Sequence, residues 1–196
     1  MCVDALGVVI VSYILGSIPF SYLVGRLGGK NILEEGSRNL GALNVYRTTG
    51  NMGLAILALL LDIGKGFAAA YISVLVSPTY AFLSPFFAVV GHNWPIWTRF
   101  RGGRGISVML GESLVFQPTF GFLWAALWVV GYIITGYIAG GAMIAHVLTP
   151  PVHATVFGPP YVGLVLAIVP IWMKYVEKMQ LLVEGGLRRH FWREHA

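Results

Sequence analysis

Long apolar runs separated by short polar or glycine- and proline-bearing breaks organise this chain. The runs cover 5–27, 51–76, 80–98, 105–117, 119–140, 142–157 and 161–176, and most approach the roughly 20 residues that carry a helix across a bilayer. The fourth and sixth are short for a full crossing, so tilted, partial or re-entrant segments are expected there. Ser77-Pro78-Thr79, Gln117-Pro118-Thr119, Gly140-Gly141 and Phe157 to Pro160 are the expected turns. The pattern predicts an all-α membrane protein, a bundle of about seven transmembrane helices forming one domain over 1–196.

Composition agrees: 57% of residues are hydrophobic, 11% are charged and the mean hydropathy is +0.74, whereas soluble domains carry roughly a quarter charged residues. No Asp, Glu, Lys or Arg occurs between Leu114 and Met173, which excludes a long soluble domain. The first run follows Asp4 instead of a basic start and has no small-residue cleavage pattern, so it reads as a retained helix and not a leader. The cations fall in alternate breaks: Arg26, Lys30, Arg38 and Arg47, then Arg99, Arg101 and Arg104, then Lys174, Lys178, Arg188, Arg189 and Arg193. By the positive-inside rule these breaks are cytoplasmic, the N-terminus is outside and the C-terminus inside. The net charge of +5 then serves orientation and anionic lipid head groups and does not imply nucleic acid.

Lys65 is the exception, inside an apolar run and three residues after Asp62, on the same helical face. Either the pair lies deep in the bilayer, or residues 51–61 form an interfacial piece that returns Lys65 to the cytoplasmic surface. Intramembrane charges are functional candidates because their desolvation is expensive. The single Cys2 excludes an internal disulfide, and the chain lacks zinc-ligand spacing, a nucleotide-binding glycine motif and a carboxylate cluster for magnesium. Neither a cofactor nor a metal is expected.

Three glycine-punctuated, cationic segments, Gly36 to Gly50, Gly91 to Gly105 and Lys174 to Gly186, are expected on one membrane face, and the first two carry most of the candidate chemistry. The first, Gly36 to Gly50, reads GSRNLGALNVYRTTG. Its Gly36 and Gly41 allow backbone N–H groups to face an anion, Ser37 adds a hydroxyl, Asn39 and Asn44 add amides, and Arg47 adds a planar fork suited to phosphate. The second, Gly91 to Gly105, reads GHNWPIWTRFRGGRG. It sets His92 and Asn93 at a helix end and follows them with Arg101, Gly102, Gly103, Arg104 and Gly105, a cationic glycine loop opening the next helix. Together these suit a phosphate site with a titratable group beside it. His146 and His153, in the uncharged half, read as packing or outer-face residues.

With these residues in place, the chain resembles, over nearly its whole length, the PlsY family of bacterial membrane glycerol-3-phosphate acyltransferases. The family pattern GSGNxGATNxxR is matched by Gly36, Ser37, Asn39, Gly41, Ala42, Asn44 and Arg47, with Arg38 at a glycine position and Leu43 at a threonine. The pattern GHxxPxFxxFxGGKG is matched by Gly91, His92, Pro95, Phe100, Gly102, Gly103 and Gly105, with Arg104 at the lysine and Trp97 at the aromatic. Ser17-Ile18-Pro19-Phe20 and Leu61-Asp62 with Lys65-Gly66 also resemble family positions. A third pattern, HRENIxRLLxG, is poorly kept: Glu177, Leu182 and Gly185 align, whereas Tyr175, Lys178 and Leu181 stand at its histidine, asparagine and arginine.

The resemblance implies a seven-helix fold and transfer of an acyl group from acyl-phosphate to the sn-1 hydroxyl of glycerol 3-phosphate, the first acylation of phospholipid synthesis. It implies Ser37, His92 and Arg47 as catalytic residues. The substrate contacts would be Gly36, Asn39, Gly41, Asn44, Lys65, Asn93, Arg101, Gly102, Gly103, Arg104, Gly105 and Glu177. Acyl-phosphate, glycerol 3-phosphate and membrane lipids are the expected partners, and the enzyme that makes acyl-phosphate is a candidate. The degraded third pattern leaves open a divergent paralogue with a changed substrate. A permease or binding protein for a phosphate ester would instead place polar groups along a path through both faces. The uncharged outer half argues against that.

Overall fold

The computed structural model describes residues 2–184. The first apolar run forms two helices, α1 (Cys2–Ser17) and α2 (Phe20–Leu27). Pro19 disfavours helical geometry at Ile18 and cannot donate to the helical ladder, so the run breaks between them. The first glycine segment contains α3 (Ala42–Thr49), absent from the sequence reading, and Gly50 ends it in the left-handed conformation. The long helix α4 (Met52–Val76) follows without interruption, capped by the Asn51 side chain, which accepts from the Leu54 amide.

Next come α5 (Ser84–Asn93), α6 (Ile106–Phe116), α7 (Pro118–Thr135), α8 (Ile138–Val156) and α9 (Val162–Glu184). At 1.5 Å per residue, α5 and α6 rise only about 15 Å each and cannot cross a bilayer alone. Val3–Leu27, Met52–Val76 and Pro118–Thr135 are long and apolar enough to cross. The expected turn at Gly140-Gly141 is not there. The chain reverses at Gly136, which is left-handed at φ 72°, and both later glycines lie inside α8. Gly141 serves packing: a Cβ there would sit 2.6 Å from the Trp128 carbonyl of α7.

The same device joins the other helices. A Cβ on Gly16 would strike the Ala88 carbonyl and one on Gly91 the Tyr13 carbonyl, so α1 and α5 approach backbone to backbone. Gly66 and Gly111 are related in the same way across α4 and α6, against the Val108 and Ile63 carbonyls. Small residues at crossings are how helices associate in lipid, where apolar side chains gain little by leaving the hydrocarbon. Phe120, Trp124, Leu164 and Ile171 pack with buried alanines among α5 to α9, while a second cluster of Val24, Ile32, Leu40, Val45 and Ala58 anchors the first glycine segment to α2 and α4. Leu60, Phe122, Ile133 and Ile134 lie on the outside, 60% to 74% exposed, as lipid-facing positions would.

If backbone contact at Gly111 holds α4 to α6, Gly111→Val destabilises the protein by about 3 kcal/mol or more, the upper range of overpacking. Gly64→Ala, where a Cβ meets nothing within 4 Å, leaves thermal unfolding in detergent within a few degrees of the parent. Equal melting temperatures for the two variants would refute the crossing.

Candidate active site

The polar site begins at the α1/α2 break. The carbonyl of Ile18 accepts from Lys65 Nζ at 2.6 Å, and the same ammonium lies 2.9 Å from Asp62 Oδ1. Ser21 Oγ donates to Asp62 Oδ2 at 2.6 Å. Both charged side chains are 2% exposed. Asp62 lies about 15 Å from the start of α4 and about 21 Å from its end, and this continuous helix leaves no separate interfacial piece over 51–61. Lys65, expected to touch substrate, is thus turned inward to a carboxylate and the Ile18 carbonyl at the helix break.

His92 stands next to this node. It is 7% exposed, and its Nδ1 lies 3.8 Å from Asp62 Oδ1. The Nε2 edge faces Gly103 and the carbonyl of Leu40, whose backbone it hydrogen-bonds. Gly103 donates its amide to the His92 carbonyl at 3.0 Å, and Leu40 donates to the Gly102 carbonyl at 3.4 Å. A side chain on Gly102 would collide with the His92 carbonyl and one on Gly103 with the His92 ring. These glycines therefore let the loop lie directly on the histidine, and Leu40 joins the first segment to the second. A narrow crevice lies here, lined by Ser17, Ser21, Leu40, Asp62, Lys65 and His92 among others.

The first segment is shaped by Asn44. Its Oδ1 accepts from the Ser37 amide at 2.8 Å, and its Nδ2 donates to the carbonyls of Ile32 and Glu35 at 2.9 and 3.3 Å. Fully occupied and 2% exposed, that amide acts on the shape of the loop. Gly36 turns at φ 60°, and a Cβ there would meet Asn44 Oδ1. Outside the membrane helices, the Asn31 amide and the Lys30 ammonium hold the Glu35 carboxyl below the usual carboxylate range. Ser37, Asn39 and Arg47 are half-buried, with Gly41 capping α3 and Arg47 on it. Arg38 is left-handed at φ 55°, which accounts for the glycine in the resembled pattern.

Arg101 is exposed, whereas Arg104 is half-buried with its guanidinium carbon 4.8 Å from the centre of the Tyr175 ring. Gly105, at φ 82°, opens α6. Asn93 donates to the Pro170 carbonyl of α9 at 2.8 Å. Glu177 is taken up by Lys174, 2.9 Å away, and by the Trp94 indole N–H at 3.1 Å. The side chains of Lys178, Leu181 and Leu182, and Gly185, lie outside the described residues. Sequence reasoning left out Ser21 and Leu40, and it did not count as site residues Lys174, read as a cytoplasmic cation, or Tyr175, read at the histidine of the third pattern. Ser21 follows the Pro19 break closely, but no local pattern marks Leu40, because its contacts join distant segments.

Among the described residues this is an all-helical integral membrane protein with a buried polar site where α1, α2, α4 and α5 meet. The profile of the family described as "Glycerol-3-phosphate acyltransferase" matches residues 6–185. A protein of that name from Wolbachia pipientis subsp. Culex pipiens (strain wPip) is 35% identical over 187 residues, covering 93% of this chain and 96% of the relative. One from Agrobacterium fabrum is 36% identical over 180 residues, covering 90% and 87%. The crystal structure of PlsY (YgiH), an integral membrane glycerol 3-phosphate acyltransferase, in its glycerol 3-phosphate form superposes with a TM-score of 0.74 at 29% identity, over 92% of each chain. Its lysophosphatidic acid form gives 0.72 at 28%. The chain belongs to the PlsY family of glycerol-3-phosphate acyltransferases.

The buried pair yields a test. Lys65→Met leaves Asp62 unpaired and costs about 3–5 kcal/mol, the usual penalty for a broken buried pair, whereas Lys65→Met with Asp62→Asn recovers most of it. A double-mutant cycle on unfolding in detergent checks this, and additive losses would contradict the pairing.

Proposed function

We propose that this protein moves a fatty acyl group from acyl-phosphate to the sn-1 hydroxyl of glycerol 3-phosphate at the cytoplasmic face. The glycerol oxygen forms a bond to the acyl carbon, the bond from that carbon to the phosphate oxygen breaks, and the products are lysophosphatidic acid and inorganic phosphate. The observation that carries this reading, with family membership, is that the Gly102-Gly103 backbone lies on His92 and Leu40 next to Arg104 and the start of α6. It is a preorganised cationic loop of the kind that holds phosphate.

Acyl-phosphate is already an activated mixed anhydride, so the site need only align two phosphates against their repulsion, place the hydroxyl on the acyl carbon and remove one proton. Arg101, Arg104, Asn93 and the glycine loop hold the glycerol phosphate, and Arg47 with Ser37, Gly36, Asn39 and Gly41 faces the acyl-phosphate. Asn44 supports that segment through its loop contacts. Lys65 acts from behind, through Asp62, and Glu177 acts by fixing Trp94 and Lys174. His92, with its ring between Leu40 and Asp62, orients the loop, and a substrate phosphate oxygen takes the hydroxyl proton. The acyl chain stays among apolar helices, and the product leaves into the same leaflet. The location of the cations on alternate breaks supports an outside N-terminus.

Purified protein given acyl-phosphate and labelled glycerol 3-phosphate forms lysophosphatidic acid, and acyl-coenzyme A does not replace the donor. Turnover with acyl-coenzyme A alone would reject the donor assignment. Arg104→Ala raises KM for glycerol 3-phosphate by about 10- to 150-fold, the 1.5–3 kcal/mol of a hydrogen bond to a charged group, and Arg104→Lys raises it less. An unchanged KM in the alanine variant moves the phosphate elsewhere. Cysteines at Thr79 and Gly158 react with an external impermeant reagent and one at Ser37 does not; labelling of all three from one side contradicts the orientation.

A further inference from the structure

We infer that Tyr175 is a positioning residue of the glycerol-phosphate subsite, steadying Arg104 with its ring and donating its hydroxyl to the phosphate that Arg104 binds. The inference rests on the assignment of Arg104 to that phosphate.

Tyr175 lies on α9, is 5% exposed and belongs to the main buried cluster. Its hydroxyl has no hydrogen-bond partner among the described residues. Buried tyrosine hydroxyls ordinarily find one, because an unmade hydrogen bond in a low-dielectric interior is costly. The missing partner must accept a hydrogen bond, or offer an oxygen that can. The group adjoining Tyr175 is a cation: Arg104 stacks over the ring at 4.8 Å, a cation–π contact that limits the guanidinium's freedom. An anion drawn to Arg104 brings acceptor oxygens to the surroundings of the phenol.

The backbone places both groups at one locus. Arg104 follows the Gly102-Gly103 pair on His92 and precedes Gly105 at the start of α6. On the other side, Asn93 binds the Pro170 carbonyl, five positions before Tyr175 on α9. The Oδ1 of Asn93 also lacks a partner, and a Cβ on Gly105 would lie 3.0 Å from it. Helix α9 thus meets both the end of α5 and the glycine loop, and two buried polar atoms without partners among the described residues flank that meeting. Phosphate accepts and does not need to donate, which suits the phenol. A substrate hydroxyl can donate, which suits the amide oxygen.

The ring and the hydroxyl can be separated experimentally. With full-length protein in detergent–lipid micelles and saturating acyl-phosphate, Tyr175→Phe keeps the ring over Arg104 and loses the donor. Its expected KM for glycerol 3-phosphate is about tenfold or more above the parent, the lower end of the effect of one hydrogen bond to a charged group. Its kcat and melting temperature stay unchanged, and inhibition by inorganic phosphate weakens in parallel. Tyr175→His, which retains a ring and a donor, keeps KM within about threefold of the parent. Tyr175→Leu, losing both, raises KM further than the phenylalanine variant. If Tyr175→Phe matches the parent in KM and in phosphate inhibition, the inference is overturned. Arg104→Ala, assayed alongside, separates the two levels: a raised KM there with a normal Tyr175→Phe leaves the phosphate assignment standing without Tyr175. A normal KM in Arg104→Ala removes that assignment and the inference with it.

Discussion

The ion pair of Asp62 and Lys65 is the constraint on which the polar site of this protein depends. Pro19 interrupts the first apolar run, and Lys65 reaches from α4 to the Ile18 carbonyl at that break while pairing with Asp62. Buried charge is tolerated only where other bonds complete its partners. Here Ser21 takes the second carboxylate oxygen, and His92 stands next to the first. Because His92 carries the Gly102-Gly103 backbone and contacts Leu40, the helix break, α4, α5 and both glycine segments form one connected unit. Loss of either charge disturbs groups that it never touches.

Glycine does two different jobs around that unit. Gly16, Gly66, Gly91 and Gly111 lie within helices and let backbones cross at a distance no side chain would permit. Gly102 and Gly103 lie outside helices and let a loop settle on a histidine and a carbonyl. The first use holds short helices such as α5 and α6 in a bundle that they could not span alone. The second brings the start of α6 to the polar node. On the proposed reading, the lipid tail and the two phosphates meet where these uses adjoin, so a membrane location is part of the chemistry.

Much of this was legible in the chain, where local chemistry decides structure. The run 51–76 became α4 (Met52–Val76), ended by Asn51 and the Ser77-Pro78 turn, because hydropathy and capping agree there. The run 5–27 was read as one helix because hydropathy does not register the backbone effect of Pro19. Gly140-Gly141 looked like a turn, but a paired glycine also signals close packing, and only the neighbouring helix shows which use applies. The short α3 carries Asn44, Arg47 and two threonines among few apolar residues, so its sequence looked like loop. At the site, the segments bearing His92, Ser37 and Arg104 were found from their glycines and cations. The inward turn of Lys65 to Ile18 and the contact of Arg104 with Tyr175 join residues far apart in sequence, and the loop-holding bonds of Asn44 depend on how its own loop folds back, so no local pattern specifies them.

The central claim is that His92 positions the phosphate loop and does not carry the proton. The most direct measurement is the pH dependence of kcat, from about pH 5.5 to 8.5, for the parent and for His92→Gln. The account predicts profiles of the same shape, with the glutamine variant slower by less than the roughly hundredfold of a lost general base. A single ionisation near pH 6.5, the ordinary value for histidine, that is present in the parent and absent from the variant would contradict it, provided both proteins bind glycerol 3-phosphate equally.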